Sequence, residues 1–454
     1  MNLTEKFAKF IVNTDFSQLP DQAVDTAKER LLDTISAMIA GCTGWTYRQA
    51  LLRAVKPLGS GHLSPIGPQA EKAFPAARVA MLNAAFAHAL ELDDGHKNAG
   101  VHAGAVVIPS ALALGQELNK SGEDVLTAII LGYELVYRLA AAQSPELIDH
   151  GFHPSSVCGV IGAMVVAGKL LGLNETQMTS GLGMAALQAA GLMEATISGQ
   201  QAKCIMLGNA AFMGISCAYI AKEDIEGCAT AFEGKTGLFH AMSKELSAQQ
   251  VTEGLGQRYL ISETYSKFYP TCRHSQPAIE AALNMVANGL TDSEQVERVE
   301  VGTYQLAYNL TGQIKEPRNP SEAKFSIAYG VAAALIDHNV SVFHLQESAY
   351  TNNKYLSLAG RVQVSVDSAV NGLYPKKRGA KVKIIMKDGG TFCQECYDLK
   401  GSPQNPVDLS QLIAKFKTVA NSLPDPDAAQ LLLERCQHFE AERDLNGFMS
   451  LLNW

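Results

Sequence analysis

In DQAVDTAKERLLDTISAMIAG, residues 21–41, the apolar positions Val24, Ala27, Leu31, Ile35, Met38 and Ile39 recur at steps of three and four. That period predicts one amphipathic helix, entered through Pro20 in a permissible first-turn position. Similar patterns run through residues 121–143 and 174–195, where abundant Ala and Gly predict close helix packing, and the first 260 or so residues read as overwhelmingly helical. The pattern then changes. Residues 294–305, 358–368 and 379–390 alternate apolar and polar with period two, as half-buried antiparallel strands do, and helical runs at 274–289 and 324–338 lie between them. After GSPQNPVD, residues 401–408, helical periodicity returns. The predicted layout is mainly α: a helical domain from both chain ends, residues 1–266 and 401–454, with a smaller α+β lid domain at 267–400.

With 454 residues and 47% hydrophobic content, the chain is long enough for two buried cores. The net charge is −8 and no Lys/Arg block stands out, so neither a nucleic-acid nor a membrane-surface partner is expected. A small anionic substrate stays open, because a few cations in a cleft focus potential whatever the total. The N-terminus has no continuous apolar export segment. The apolar window 155–173 is broken by Lys169 and several glycines and reads as a buried helix. Nine scattered cysteines predict reduced thiols and a cytoplasmic protein. Cys393 and Cys396 fall on a hairpin turning at Asp388-Gly389, three apart and so on opposite strand faces, which argues against a metal pair.

The densest chemistry is ELDDGHKNAGVHAG, residues 91–104, where Glu91, Asp93, Asp94, His96, Lys97 and His102 lie between two apolar helical runs. His96 and His102 are six apart with glycines between, not the i, i+4 pair of a zinc helix, so no metal is expected. Two readings remain: acids capping the next helix with histidines on backbone carbonyls, or one wall of a cleft with a histidine poised for proton transfer. His153, before Pro154 and two serines, opens another helix and is either a cap-region residue or a catalytic one. Lys203 sits among apolar residues and must snorkel or meet a counter-charge. Lys267, followed by Arg273 and His274 before a helix starting near Pro277, completes what looks like a carboxylate receptor. No Gly-x-Gly-x-x-Gly after a strand, Walker loop or Gly-x-Ser-x-Gly elbow is present, and GLGMAA at 181–186 reads as helix packing. Cys272 beside His274 is a poor nucleophile pair, since adjacent positions rarely give the needed geometry.

The segments LLDTISAMIAG, HALELDDGHKNAGVHAGAVVIPSALAL, GFHPSSVCGVIGA, AKCIMLGNAAFMG, FEGKTGL, KFYPTCRHSQPAIEAAL, PSEAKFSIAYGVAAAL and KRGAKVKIIMKDGG together resemble the MmgE/PrpD family, which includes 2-methylcitrate dehydratases, cis-aconitate decarboxylases and iminodisuccinate epimerases. The resemblance spans nearly the whole chain. It implies a helical domain with an α+β lid, a homodimer, no metal or organic cofactor, and a small di- or tricarboxylate substrate. By the same resemblance, the catalytic cleft would be lined by Glu91 or Asp93, His102, His153, Lys203 and Lys267. Substrate contacts would come from Asp94, His96, Arg273, His274 and, as the nearest match to a lid tyrosine, Tyr308. Glu91 stands where decarboxylase-like members carry Asp, and His102 is followed by Ala103 rather than proline. The implied chemistry is a carbanion next to a carboxylate, with cations holding the carboxylates and a histidine moving the proton. A lyase, an epimerase with two bases on one carbon, and a non-catalytic carboxylate binder all need such a receptor.

Overall fold

A computed structural model of the chain describes residues 1–68, 71–244, 246, 248–290 and 292–454. The fold is mainly α, with one four-stranded sheet and one two-residue ladder. Six helices position the site: α1 (Asp21–Gly44), α2 (Ala76–Ala89), α3 (Gly104–Glu117), α4 (Gly122–Gln143), α5 (Pro154–Leu171) and α6 (Ala202–Lys222). On α1 the predicted stripe faces inward: Ala27, Leu31, Ile35, Met38 and Ile39 are buried, and Val24 lies half-buried at the rim.

α2 is buried along nearly its whole length, as a helix apolar all round must be, and it packs between α1 and α6. Contact with α1 is close enough that a Cβ on Gly41 would come 1.9 Å from the carbonyl oxygen of Phe86, so only glycine fits there. This fixes the end of α2, and with it the start of the charged loop. α4, α5 and α6 are long and apolar enough to span a bilayer by length and composition; here 89% of the apolar window is buried in α4 and in α5, and 56% in α6.

The sheet is built from β1 (Val296–Thr303), β2 (Val362–Val366), β3 (Ala380–Met386) and β4 (Thr391–Cys396), in the order β2-β1-β3-β4. β1 and β2 run parallel and the other pairs antiparallel, so the expectation of antiparallel strands fails for β2. The chain between β1 and β2 contains α7 (Pro320–Lys324) and α8 (Ile327–Asp337), a helical crossover of the kind that parallel pairing needs. The β3–β4 hairpin turns at Asp388-Gly389, with Gly389 at φ 87°. Cys393 is exposed and Cys396 buried, and all nine cysteines are free thiols. Past the sheet, α9 (Leu409–Ala420) and α10 (Pro426–Gln437) pack on α1.

One buried polar network ties these parts to the charged loop. Lys415 of α9 donates to Asp33 Oδ1 of α1 at 2.5 Å and to the carbonyl of Leu92 at 2.8 Å. Ser266 donates to Asp33 Oδ2 at 2.8 Å and accepts from Arg30 at 2.6 Å. Ser266, before Lys267, is thus anchored on Asp33 directly, and Leu92, after Glu91, is anchored on it through Lys415.

Candidate active site

Glu91 follows the end of α2 with φ 56°, the left-handed region that a side-chain-bearing residue enters at a cost of about 1–3 kcal/mol. Its carboxylate lies between two ammonium groups: Oε1 pairs with Lys203 of α6, and Oε2 accepts from Lys267 at 3.0 Å. Lys267 is fully buried and also lies 3.6 Å from Asp93 Oδ1. Burial by itself pushes both acids up. For Glu91 the charges of Lys203 and Lys267 more than reverse this, and for Asp93 the adjoining His88 Nδ1–H and the charge of Lys267 do, so both carboxylates stay ionised. Lys267 is held above its ordinary value by the same two acids despite its burial. Of the two alternatives for Lys203, snorkelling or a counter-charge, the second is found, and the counter-charge is Glu91.

Three imidazoles surround this pair. His88, at the end of α2, places Nδ1 2.7 Å from Asp93 Oδ2 and Nε2 3.9 Å from Glu91 Oε1. Because Asp93 only accepts, His88 carries its proton on Nδ1, and its buried Nε2 has no partner. His102 sets Nδ1 2.5 Å from the backbone carbonyl of Asp94 and 3.5 Å from Asp93 Oδ2. That carbonyl also only accepts, so His102 too has its Nε2 lone pair free. Burial first, then Lys267, pushes His102 down to about 3, and it is neutral near pH 7. His153 is the N-cap of α5, with a buried, unpartnered Nδ1. Burial and the charge of Lys203 hold it well below the ordinary histidine value. The His88 ring lies 5.2 Å from that of His102 and 6.3 Å from that of His153. His102, His153, Lys203 and Lys267, separated by up to 165 positions in the chain, thus converge on Glu91 and Asp93.

Other expected site residues are placed differently. Asp94 is spent internally, accepting from Tyr133 at 2.5 Å and from the backbone N–H of Gly104 at the start of α3, which is the helix-capping alternative read from the loop. Burial pushes it up to about 7. Since the unfolded carboxyl titrates near 4, the native state binds more protons between about pH 4 and 7, and this group makes stability fall as pH rises through that window. Urea unfolding of Asp94→Asn across pH 4–7 is expected to show a shallower decline than the parent; parallel curves would count against it.

His96 accepts from the backbone N–H of Ala99 and meets Glu263 at 3.3 Å, with its ring against Tyr137. It fixes the loop, whose Gly95-His96 step pairs with Thr264-Tyr265. Tyr308 has no side-chain hydrogen bond among the described residues; four positions earlier, at the end of β1, Tyr304 shares one with His274 Nδ1 at 2.5 Å. Burial, then Arg378 and Lys267, push His274 down to about 3. Arg273 does not join the two lysines on Glu91. It donates to Gln276 at 2.8 Å and stacks over Tyr265, facing a second cleft.

The first cleft is lined by His88, Glu91, Lys203, Lys324 and Phe325, and by Ala195, Thr196, Gly199, Gln200 and Gln201 of the 195–201 segment. Its free interior of about 10 Å³ holds roughly one water. Lys324 donates to the carbonyl of Ala89 at 2.8 Å, and no described carboxylate lies within ion-pair distance of it. Sequence reasoning missed His88 and Lys324. Lys324 stands in AKFSIAYG much as Lys203 stands in AKCIMLG, so the same argument about a cation in an apolar run applied to it. His88 was absorbed into an apolar helix, and its spacing of three and five from Glu91 and Asp93 was the available signal. Among the described residues, no group of three His, Cys, Asp or Glu side chains is arranged to hold a metal ion.

Residues 5–250 match the MmgE/PrpD N-terminal domain and residues 269–438 the MmgE/PrpD C-terminal domain. A cis-aconitate decarboxylase of Aspergillus terreus is 26% identical over 480 residues, covering 99% of this chain and 96% of its own length. The cis-aconitate decarboxylase of Homo sapiens is 25% identical, with 99% and 94% covered. A 2-methylcitrate dehydratase of Salmonella typhimurium is 22% identical over 60% of this chain and 59% of its own length.

Proposed function

The chain belongs to the MmgE/PrpD family of enzymes, and from that premise we propose that it is a cofactor-independent lyase acting on a small tricarboxylate, by decarboxylation or dehydration, through a carbanion next to a carboxylate. The observation that carries this reading is the buried carboxylate of Glu91 held between Lys203 and Lys267, with neutral imidazoles beside it. Near-full-length similarity to cis-aconitate decarboxylases supports a tricarboxylate rather than a simpler acid.

Lys203 and Lys324 face the cleft and receive a substrate carboxylate, gaining strength from the low dielectric of a closed site. Lys267 lies behind them and keeps Glu91 ionised and in place. In a dehydration, an imidazole Nε2 takes the α-proton, the electron pair moves into the forming double bond, and hydroxide leaves with a proton from a second acid. In a decarboxylation, the bond to the departing carboxylate breaks, its electron pair moves onto carbon conjugated with a remaining carboxylate, and an imidazole that has taken up a proton delivers it there. His102 is the proton carrier in both, because its Nδ1–H is fixed on Asp94 and its Nε2 is free. His88 acts through others: it holds Asp93, and Asp93 steadies Lys267 and His102. A tricarboxylate far exceeds one water, so its entry requires the 195–201 wall or the lid to move outward.

Proton NMR of di- and tricarboxylates with the enzyme in deuterated water tests the proposal, because it reports substrate, bond broken and stereochemistry together. Loss of carbon dioxide or water is the expected outcome. Exchange of one α-proton for deuterium with unchanged composition would assign an epimerase instead, and no change in any carboxylate would leave only a binder.

A further inference from the structure

The second cleft, between the charged loop, the segment leading to Lys267 and the lid, is lined by Lys97, Tyr265, Arg273 and Arg378, together with Asp398 and Ser402. Three cations meet there with no described carboxylate within ion-pair distance of any of them; Asp398 pairs instead with Lys377 at 3.5 Å. Their fixed hydrogen bonds leave donors over. Arg378 spends Nη2 on the carbonyl of Lys97 at 2.7 Å, while its buried Nε has no partner. Arg273 spends Nη1 on Gln276 and, at 3.4 Å, on the carbonyl of Ser266. Lys97 donates to the carbonyl of Lys376. The ring of the buried Tyr265 lies beneath the Arg273 guanidinium, and its hydroxyl has no hydrogen bond among the described residues. Like charges crowded into one cleft cost free energy unless an anion joins them.

We propose that Lys97, Tyr265, Arg273 and Arg378 form a second carboxylate subsite, which takes the far carboxylate of the substrate whose reacting end meets the Glu91 cleft. This rests on the tricarboxylate reading above and extends it. The free interior, about 30 Å³, has room for roughly two waters, the space that the two oxygens of one carboxylate fill. Arginine suits the task because its planar fork binds both oxygens at once. The two clefts adjoin along residues 265–267, where Tyr265 lines the second and Lys267 holds Glu91 of the first, and His274 lies in the fields of both Arg378 and Lys267. Cations at both ends would select acids with carboxylates at both ends and reject shorter ones. Arg378 and Lys97 also join lid to loop, so the subsite forms only when those two segments meet.

Calorimetric titration with tricarballylate, a saturated tricarboxylate with no double bond or hydroxyl to react, tests this apart from turnover. Arg378→Gln is expected to weaken its binding about ten-fold or more, while affinity for acetate changes little. Lys97→Gln, on the more accessible rim, is expected to weaken it in the same direction and serves if Arg378→Gln misfolds. Equal affinity for tricarballylate in the parent and both variants would overturn the subsite, even with the parent turning over a tricarboxylate. Arg378-dependent binding in a protein that converts no carboxylate would uphold the subsite and sink the lyase reading.

Discussion

Replacing Lys267 by methionine is expected to lower kcat/KM by about 10²–10³-fold and to cost about 3–5 kcal/mol of folding stability. The second effect follows from geometry. Lys267 is fully buried, and both of its partners, Glu91 at 3.0 Å and Asp93 at 3.6 Å, are buried as well. Methionine keeps the length of the side chain and removes the charge, so two carboxylates face an apolar interior with Lys203 on Glu91 and the Nδ1–H of His88 on Asp93 as their remaining partners. Their titration then rises towards neutrality, and the variant should lose less stability at pH 5 than at pH 8, because protonation relieves the buried charge. Adding Glu91→Gln to Lys267→Met removes one of those charges and is expected to recover part of the stability without recovering turnover. Urea unfolding at both pH values, beside steady-state rates for the parent, single and double variants, separates the two roles. Turnover within a few-fold of the parent for the single variant would mean that Lys267 serves the fold alone.

How far the sequence revealed this centre depends on what each residue does locally. The mainly helical class was legible because core-facing positions in the first half of α1 repeat with the helix period, and β1 from Val299 onward and β3 alternate, so local pattern and tertiary burial agree there. The direction of β2 was not, since period two is the same in parallel and antiparallel strands and pairing is a long-range choice. Lys203 and Lys267 stood out as cations among apolar residues. Whether they held a substrate or a counter-charge could not be read, because Glu91 lies 112 and 176 positions away from them. Asp94 and His96 looked equivalent to Asp93 and His102 in the sequence. Tertiary partners separate them: Tyr133 and Gly104 consume Asp94, and Glu263 and Ala99 consume His96. Tyr304 was invisible for a related reason, as its place beside His274 depends on where β1 ends against the segment that follows Lys267.

His102→Asn isolates the proton transfer. The amide nitrogen of asparagine falls close to the position of imidazole Nδ1, so the variant retains a donor for the carbonyl of Asp94, now met at 2.5 Å, and deletes only the Nε2 lone pair. The loop keeps its anchors, because the backbone N–H of His102 donates to Ser155 at 2.9 Å and the Gly95-His96 pairing does not involve the changed side chain. Lys203, Lys324 and the Glu91 pair are likewise untouched, and these provide the attraction for the ground-state carboxylate. The expected result is therefore a fall in kcat of about 10²–10⁴-fold, the ordinary worth of a positioned acid or base, with KM little changed. A rise in KM at unchanged kcat would make His102 a binding group. Unchanged kinetics would move the proton to His88, whose Nε2 is also free and faces the Glu91 cleft. In that case His88→Gln should give the same fall in kcat, and an unchanged rate there too would assign the proton to His153, whose Nδ1 is also unpartnered.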